Sequence, residues 1–217
     1  MIFMLFDLHI HEKTYSFDSR VALRDIIEEA KRKGLNGICI TDHESNGLKN
    51  EALILSQELD FTIIVGIEIL TTDGDLLIFG VNDFPEEQVG AQTLINWVNT
   101  RGGVTIAAHP YRKNNRGLEN KLSKVKGLTA IEGINGRTPY HENEAARLMA
   151  LSLNSPMTGG SDAHLAHEVG SVATRFNKVI RNEFDLVEAI KSGVYEPVVY
   201  NRGVYRSITD TVEEIIA

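Results

Sequence analysis

The stretch Ile2-Phe3-Met4-Leu5-Phe6-Asp7-Leu8-His9-Ile10-His11 starts as an apolar run and ends on two alternating histidines, with a carboxylate just ahead of them. An extended chain turns every second side chain to the same face, so His9 and His11 form a chelating pair by spacing alone. The same kind of ending recurs down the chain. Thr41-Asp42-His43 follows Gly37-Ile38-Cys39-Ile40, Glu68 follows Phe61-Thr62-Ile63-Ile64-Val65-Gly66-Ile67, and His109 follows Val104-Thr105-Ile106-Ala107-Ala108. Gly160-Ser161-Asp162-Ala163-His164 follows Ser155-Pro156-Met157-Thr158. Each run ends in a group able to bind metal or move protons, and strand C-termini are where an α/β barrel carries its chemistry.

Between these runs the pattern is helical. Val21, Leu23, Ile26, Ile27 and Ala30 recur at helical spacing, with Ser19 as the expected N-cap and Gly34 as the stop. Further helices are expected over 48–59, 88–100, 142–153 and 183–191. Strands are expected over 1–8, 38–41, 62–67, 104–108, 128–134 and 156–160. Asp73-Gly74 predicts a local hairpin between Ile69-Leu70 and Leu76-Leu77-Ile78-Phe79. Alternating strand and helix predicts an α/β fold: a distorted TIM-like barrel of about seven βα units, with a metal site at the C-terminal rim of its strands. A doubly wound open sheet would gather its ligands at one switch point and accounts for fewer of the strand ends. No linker divides the chain, and residues 1–217 read as one domain.

Composition narrows the function. The chain has 217 residues, 42% of them hydrophobic and 24% charged, and a formal net charge of −8. That charge argues against sequence-independent binding to duplex DNA, which depends on neutralising phosphates. No apolar run reaches the roughly 20 residues of a membrane span and no leader is apparent, so a cytoplasmic location is expected. Cys39, the only cysteine, lies within an apolar run and reads as a core residue.

Imidazoles mixed with carboxylates suit Zn, Mn or Fe better than Ca. Each residue also has a structural reading: a lone histidine such as His43 is ordinarily hydrogen-bonded within the fold, and Glu68 could cap a turn. What separates the two readings is joint occurrence at successive strand ends. Asp7 and Asp42 are expected to orient their neighbours rather than bind an ion. His141, at a helix start, reads as solvated, and His167 as part of a loop beside the mouth.

Asp7-Leu8-His9-Ile10-His11, Thr41-Asp42-His43, Gly66-Ile67-Glu68, Ala107-Ala108-His109-Pro110 and Gly160-Ser161-Asp162-Ala163-His164 together resemble, in order and spacing, the motifs of the polymerase and histidinol phosphatase (PHP) superfamily. The resemblance runs from about Phe6 to Thr174. It implies phosphoester hydrolysis with two or three divalent ions, Zn, Mn or Fe. His9, His11, Glu68 and Asp162 would hold the first ion. Glu68 would bridge to a second held by His109 and Asn135, and Asp18, His43 and His164 would hold a third. Asn135 stands where many relatives have histidine, and Glu132 is the expected substitute or orienting partner. The chemistry implied is attack by a metal-activated water, with His43, Asp162 and His164 as the catalytic set.

Arg112 and Arg137, just past His109 and Asn135, are the expected phosphate-binding pair, since a guanidinium fork matches phosphate oxygens. Lys113 and Arg116 divide evenly between that role and an ordinary solvated loop. The expected substrate is a small phosphate monoester, such as a sugar phosphate, a nucleotide or a histidinol-phosphate-like compound. A phosphodiesterase or exonuclease acting on oligonucleotide ends is the alternative, favoured if Tyr111, Arg112, Lys113 and Tyr140 stack and clamp bases. A catalytically silent metal-binding module is a further one. Hydrolysis of a C–N bond on a similar rim is disfavoured by the late Gly-Ser-Asp-Ala-His and by the lack of a lysine at a strand end.

Overall fold

The computed structural model describes residues 3–208. Strand β1 (Met4–Ile10) is followed by helix α1 (Leu23–Arg32), β2 (Gly37–Ile40), α2 (Lys49–Leu59) and β3 (Thr62–Val65). The hairpin strands β4 (Ile67–Leu70) and β5 (Asp75–Phe79) come next, then α3 (Ala91–Thr100) and β6 (Val104–Ala107). Beyond them lie β7 (Ala130–Asn135), α4 (Tyr140–Ser152), β8 (Met157–Gly160) and β9 (Val172–Phe176). Helix α5 (Glu183–Ser192) and strands β10 (Tyr195–Asn201) and β11 (Val204–Ser207) complete the described chain.

The periodicity maps onto packing. In α1 the buried residues are Leu23, Ile26, Ile27 and Ala30, a stripe at i, i+3, i+4 and i+7. They pack with Ile38, Ile40, Ile63 and Val65 on the outer face of the first sheet. Each isoleucine so buried contributes about 1.5–3 kcal/mol. Ala91, Leu94, Ile95 and Val98 of α3 do the same for the second sheet, and Leu186, Val187, Ala189 and Ile190 of α5 join the cluster that holds Phe6, Leu8, Cys39, Leu77 and Ile106. Cys39 is fully buried there, as expected of a core residue. Helix α5 is closed by its caps: Asn182 accepts from Asp185 N and Gly193 takes a left-handed φ of 67°. Ser19 does not cap α1. Ala22 stands at that position, and the Ser19 hydroxyl donates instead to the His11 carbonyl at 2.7 Å, because the chain reaches the helix three residues later than the periodicity alone suggests.

The strands divide into two sheets, ordered β11-β10-β9-β1-β2-β3 and β4-β5-β6-β7-β8. A single closed sheet of seven βα units, the sequence expectation, is not formed among the described residues. Parallel pairing holds for β1–β2, β2–β3, β6–β7 and β7–β8. The Asp73-Gly74 turn reverses β5, so β4–β5 and β5–β6 are antiparallel, and β9, β10 and β11 add an antiparallel extension to β1. Gly66 separates β3 from β4, and a Cβ there would overlap the Phe79 ring, so the chain changes sheet where only glycine fits.

The two sheets meet at two seams. At one, His43 bridges to Glu68, with Glu68 N donating to Asp42 O at 3.1 Å and Glu44 N to Glu68 O at 2.9 Å. At the other, Asp162 N donates to His9 O at 2.7 Å and His11 N to Ala163 O at 3.0 Å. Both seams lie at strand C-termini and consist of the residues singled out for chemistry. No helix among the described residues is long and apolar enough to cross a membrane. Of the C-terminal stretch from Pro197, the part containing Val212, Ile215 and Ile216 lies outside the described residues.

Candidate metal centre

His9 and His11 leave β1 on the same side, and their Nε2 atoms stand 3.1 Å apart. Their other ring nitrogens are committed. His9 Nδ1 is 3.0 Å from Glu132 Oε1, a carboxylate that can only accept, so Nδ1 carries the hydrogen. The Ser16 hydroxyl donates to Asp42 Oδ1 at 2.8 Å, which leaves its oxygen to accept from His11 Nδ1 at 3.1 Å. In the neutral rings both Nε2 atoms therefore present lone pairs to each other. Two carboxylates converge on the same point: His11 Nε2 lies 3.3 Å from Asp162 Oδ1 and 3.5 Å from Glu68 Oε2, and His9 Nε2 lies 3.6 Å and 3.5 Å from Asp162 Oδ1 and Glu68 Oε1. Facing lone pairs and converging anions, all buried, fit a divalent cation.

Three groups of donors are close enough to hold an ion: His9 with His11 and Asp162, His9 with Glu68 and His109, and His11 with His43 and His164. Glu68 is the hub. Its Oε1 is 2.9 Å from His109 Nε2 and its Oε2 is 2.8 Å from His43 Nδ1. Asp18 Oδ2 closes the outer group, 3.3 Å from His43 Nε2 and 3.1 Å from His164 Nε2. Two of these residues have left-handed backbone, His109 at φ 27° and Asp162 at φ 55°, and non-glycine strain of this kind collects where a side chain must be aimed.

The remaining residues fall into place around this cluster. Asp7 accepts from Ser161 N at 2.9 Å and Gly170 N at 2.8 Å, and Asp42 from Glu12 N at 2.6 Å, so both carboxylates tie loops to the seams. Burial raises each of them to about 6. Glu132 links His9, the backbone N–H of His109 at 2.6 Å and Asn135 Nδ2 at 3.0 Å. Asn135 Oδ1 accepts from Arg112, from Arg137 N at 3.0 Å and from Thr138 Oγ1 at 3.1 Å, so its carbonyl is fully engaged. Arg112 Nη2 donates to that oxygen and to Asp162 Oδ2 at 2.6 Å, and its Nε to Thr138 Oγ1 at 3.0 Å. Arg137 is exposed at the rim. His141 is 80% exposed and, like His167, lies outside the cluster.

A cavity of about 310 Å³ opens over these groups, lined by Asp18, His43, Glu68, His109, Asp162 and His164 with Arg112, Arg116 and Arg137. Two buried residues behind the cavity are not legible in the sequence. Asp75, fully buried, contacts Arg116 and lies 3.7 Å from His109 Nε2. Its position two residues after a turn signal reads as turn polarity, and only the β5–β6 pairing carries it under the site. Ser16, the relay between Asp42 and His11, had no signal beyond its place beside Asp18.

The charge balance gives a test. Burial alone would lower His9, but the carboxylates of Asp162, Glu132 and Glu68 outweigh it and raise this imidazole from 6.5 to about 10, while burial takes His11 down to about 4. In metal-free protein a proton between the rings thus substitutes for a cation. A raised folded-state value adds stability that is complete below 6.5 and lost as pH rises through about 10. Metal-free protein is therefore expected to melt at progressively lower temperature from pH 7 to pH 10, with a flatter profile when Mn or Zn is bound. Equal slopes with and without metal, measured by thermal melts across that range, would remove His9 from the cation site.

A family model described as PHP domain matches residues 7–167, and one described as PHP-associated matches residues 140–195. An uncharacterised protein of Methanocaldococcus jannaschii is 27% identical over 155 residues, covering 67% of this chain and 88% of that one. Among solved structures, a two-domain protein of Bacteroides vulgatus containing a predicted PHP-like metal-dependent phosphoesterase superposes with TM-score 0.73 at 18% identity, over 99% of this chain and 69% of that one. The lesion-specific endonuclease EndoQ of Pyrococcus furiosus gives TM-score 0.66 at 18% identity, over 99% and 66%.

Proposed function

The chain belongs to the PHP-domain family, and on that premise we propose that it is a metal-dependent phosphoesterase whose substrates are small phosphate monoesters. The observation that carries the reading is the pair of imidazole lone pairs 3.1 Å apart with the Glu68 and Asp162 carboxylates turned to the same point. His9, His11, Glu68 and Asp162 would hold one ion, and His43 and His164 with Asp18 another. His109 with Glu68 would hold a third; Asn135, whose carbonyl is engaged by three donors, would support that position through Glu132 rather than ligate it. Divalent ions bound there lower the pKa of water and neutralise charge that develops on phosphoryl oxygens.

The chain's own residues supply the rest. Glu68 fixes the His43 tautomer by accepting from Nδ1, which leaves His43 Nε2 facing Asp18 at the mouth. His164 accompanies it, and with the outer ion absent these two imidazoles are the groups placed to pass a proton to or from the mouth. Arg137, exposed at the rim of the cavity, would meet the phosphate from there. A cavity of about 310 Å³ is at the small end of ligand sites, which favours a compact monoester over a polymer held along its length.

A second reading, cleavage at oligonucleotide ends, is favoured by one feature: Phe17, beside Asp18, is 94% exposed, and Tyr140 at the start of α4 is 72% exposed, so two aromatic faces are available for bases. The test is metal analysis of protein purified without chelator, with turnover of p-nitrophenyl phosphate and its bis-ester before and after stripping. At least two transition metals and activity restored by Mn or Zn are expected, with the monoester preferred. Preference for the bis-ester, with shortening of a labelled oligonucleotide, would replace the monoester reading. Metal-free, inactive protein after reconstitution would reduce the chain to a silent module.

A further inference from the structure

Resting on the phosphoesterase reading, we infer that Arg116, held in place by the buried carboxylate of Asp75, is the residue that binds the non-reacting phosphate oxygens inside the cavity. Arg116 is one-third exposed and lines the cavity, and its Nε donates to Asp75 Oδ2 at 2.5 Å. The attachment is double, since Asp75 N donates to Arg116 O at 2.7 Å. The loop that carries Arg116 is also fixed on both sides. Gly74, at φ 142°, presses against the backbone of Gly117 and Leu118 so closely that a Cβ would stand 2.6 Å from Leu118 N, and Glu119 N donates to Pro110 O at 2.8 Å. A guanidinium on so rigid a support loses little entropy when it binds.

Among the described residues its remaining donors have no acceptor within hydrogen-bond distance. Arg116 Nη2 lies 3.4 Å from His43 Nδ1, but that nitrogen sits 2.8 Å from Glu68 Oε2 and so carries a hydrogen of its own. The Glu68 oxygen is itself 3.7 Å from Nη2, beyond hydrogen-bond length. The two nitrogens therefore meet donor to donor, and the outer edge of the fork faces the cavity unpaired. Arg112 is more heavily engaged, with Nη2 on both Asp162 and Asn135 and Nε on Thr138. An oxyanion carrying two oxygens, as a phosphate monoester does, fits the open edge of Arg116 bidentately. Asp75 acts through Arg116 and is a positioning residue.

The test uses the metal-loaded protein, inorganic phosphate as competitive ligand and p-nitrophenyl phosphate as substrate. Arg116→Ala is expected to weaken phosphate binding and raise KM by about 10- to 100-fold, the worth of the lost charge-assisted bonds, at unchanged metal content. Arg116→Lys, which keeps the charge without the fork, should recover part of this. Asp75→Asn should raise KM in the wild-type background and have little effect on top of Arg116→Ala. Phosphate affinity unchanged in Arg116→Ala with metal retained would overturn the assignment, as would a fall in melting temperature with KM intact. Phosphate binding can be followed calorimetrically without turnover, so an inactive wild type that still loses phosphate affinity in Arg116→Ala would fail the phosphoesterase reading and leave the anion site standing.

Discussion

Glu68→Ala is expected to release bound metal and to lower kcat/KM for a phosphate monoester by on the order of 10³-fold or more, since several kcal/mol of charge stabilisation disappear at about 1.36 kcal/mol per tenfold. Glu68 is 1% exposed and, among the described residues, is the only carboxylate whose two oxygens reach His9, His11, His43 and His109. Burial works against its ionisation, and the surrounding imidazoles, His9 foremost, hold it well below the usual carboxylate range. Without it, the four rings lose the carboxylate they share, and the His43 tautomer is no longer imposed. Glu68→Gln is the sharper variant because it keeps the volume and removes the charge. Metal content by elemental analysis and kcat/KM on the reconstituted enzyme should fall together. Retention of both within a few fold would show that Glu68 is a structural residue of the seam.

Gly160→Ala should be nearly as damaging, although the residue has no chemistry of its own. A Cβ at Gly160 would lie 2.5 Å from His9 Cβ, 3.1 Å from the His9 backbone nitrogen and 2.9 Å from Glu132 Oε1. Neither the strand nor the Glu132 carboxylate, which also holds His109 N and Asn135, can retreat without moving a ligand. The expected loss is about 1–3 kcal/mol of stability from overpacking, together with a 10- to 100-fold drop in metal affinity, roughly the cost of disturbing groups that orient a metal's ligands. Denaturant melts of stripped protein and metal titration of folded protein separate the two effects. Wild-type metal affinity in a folded Gly160→Ala protein would mean that the His9 backbone has room to yield.

The predictions differ in how much of their basis is visible in the chain. His9, His11, Glu68, His109 and Asp162 announce themselves because each closes an apolar run, and a residue type that is costly to bury at the end of a buried strand is a local signal. The β4–β5 hairpin was legible at Asp73-Gly74 for the same reason: turn chemistry is local. The boundary at Gly66 was not, because a run from Phe61 to Ile67 is uniformly apolar whichever sheet each half joins. Strands β9, β10 and β11 also went unread: β10 and β11 are only partly buried, and the almost wholly buried β9 mixes Thr174 and Arg175 into its short apolar run.

By itself, then, the order of residues determined an α/β chain with ligand-type side chains at successive strand ends, and the alternation that pairs His9 with His11. Tertiary structure alone decided that these ends converge at two seams between separate sheets rather than around one closed barrel. It also decided how the donors of each arginine are engaged. Arg112 and Arg116 are four residues apart and chemically identical, and only long-range partners distinguish them: Asp162, Asn135 and Thr138 take Nη2 and Nε of the first, while Asp75, some forty residues earlier, takes only Nε of the second. A hydrogen bond depends on distance and direction between atoms far apart in sequence, and no local pattern records either.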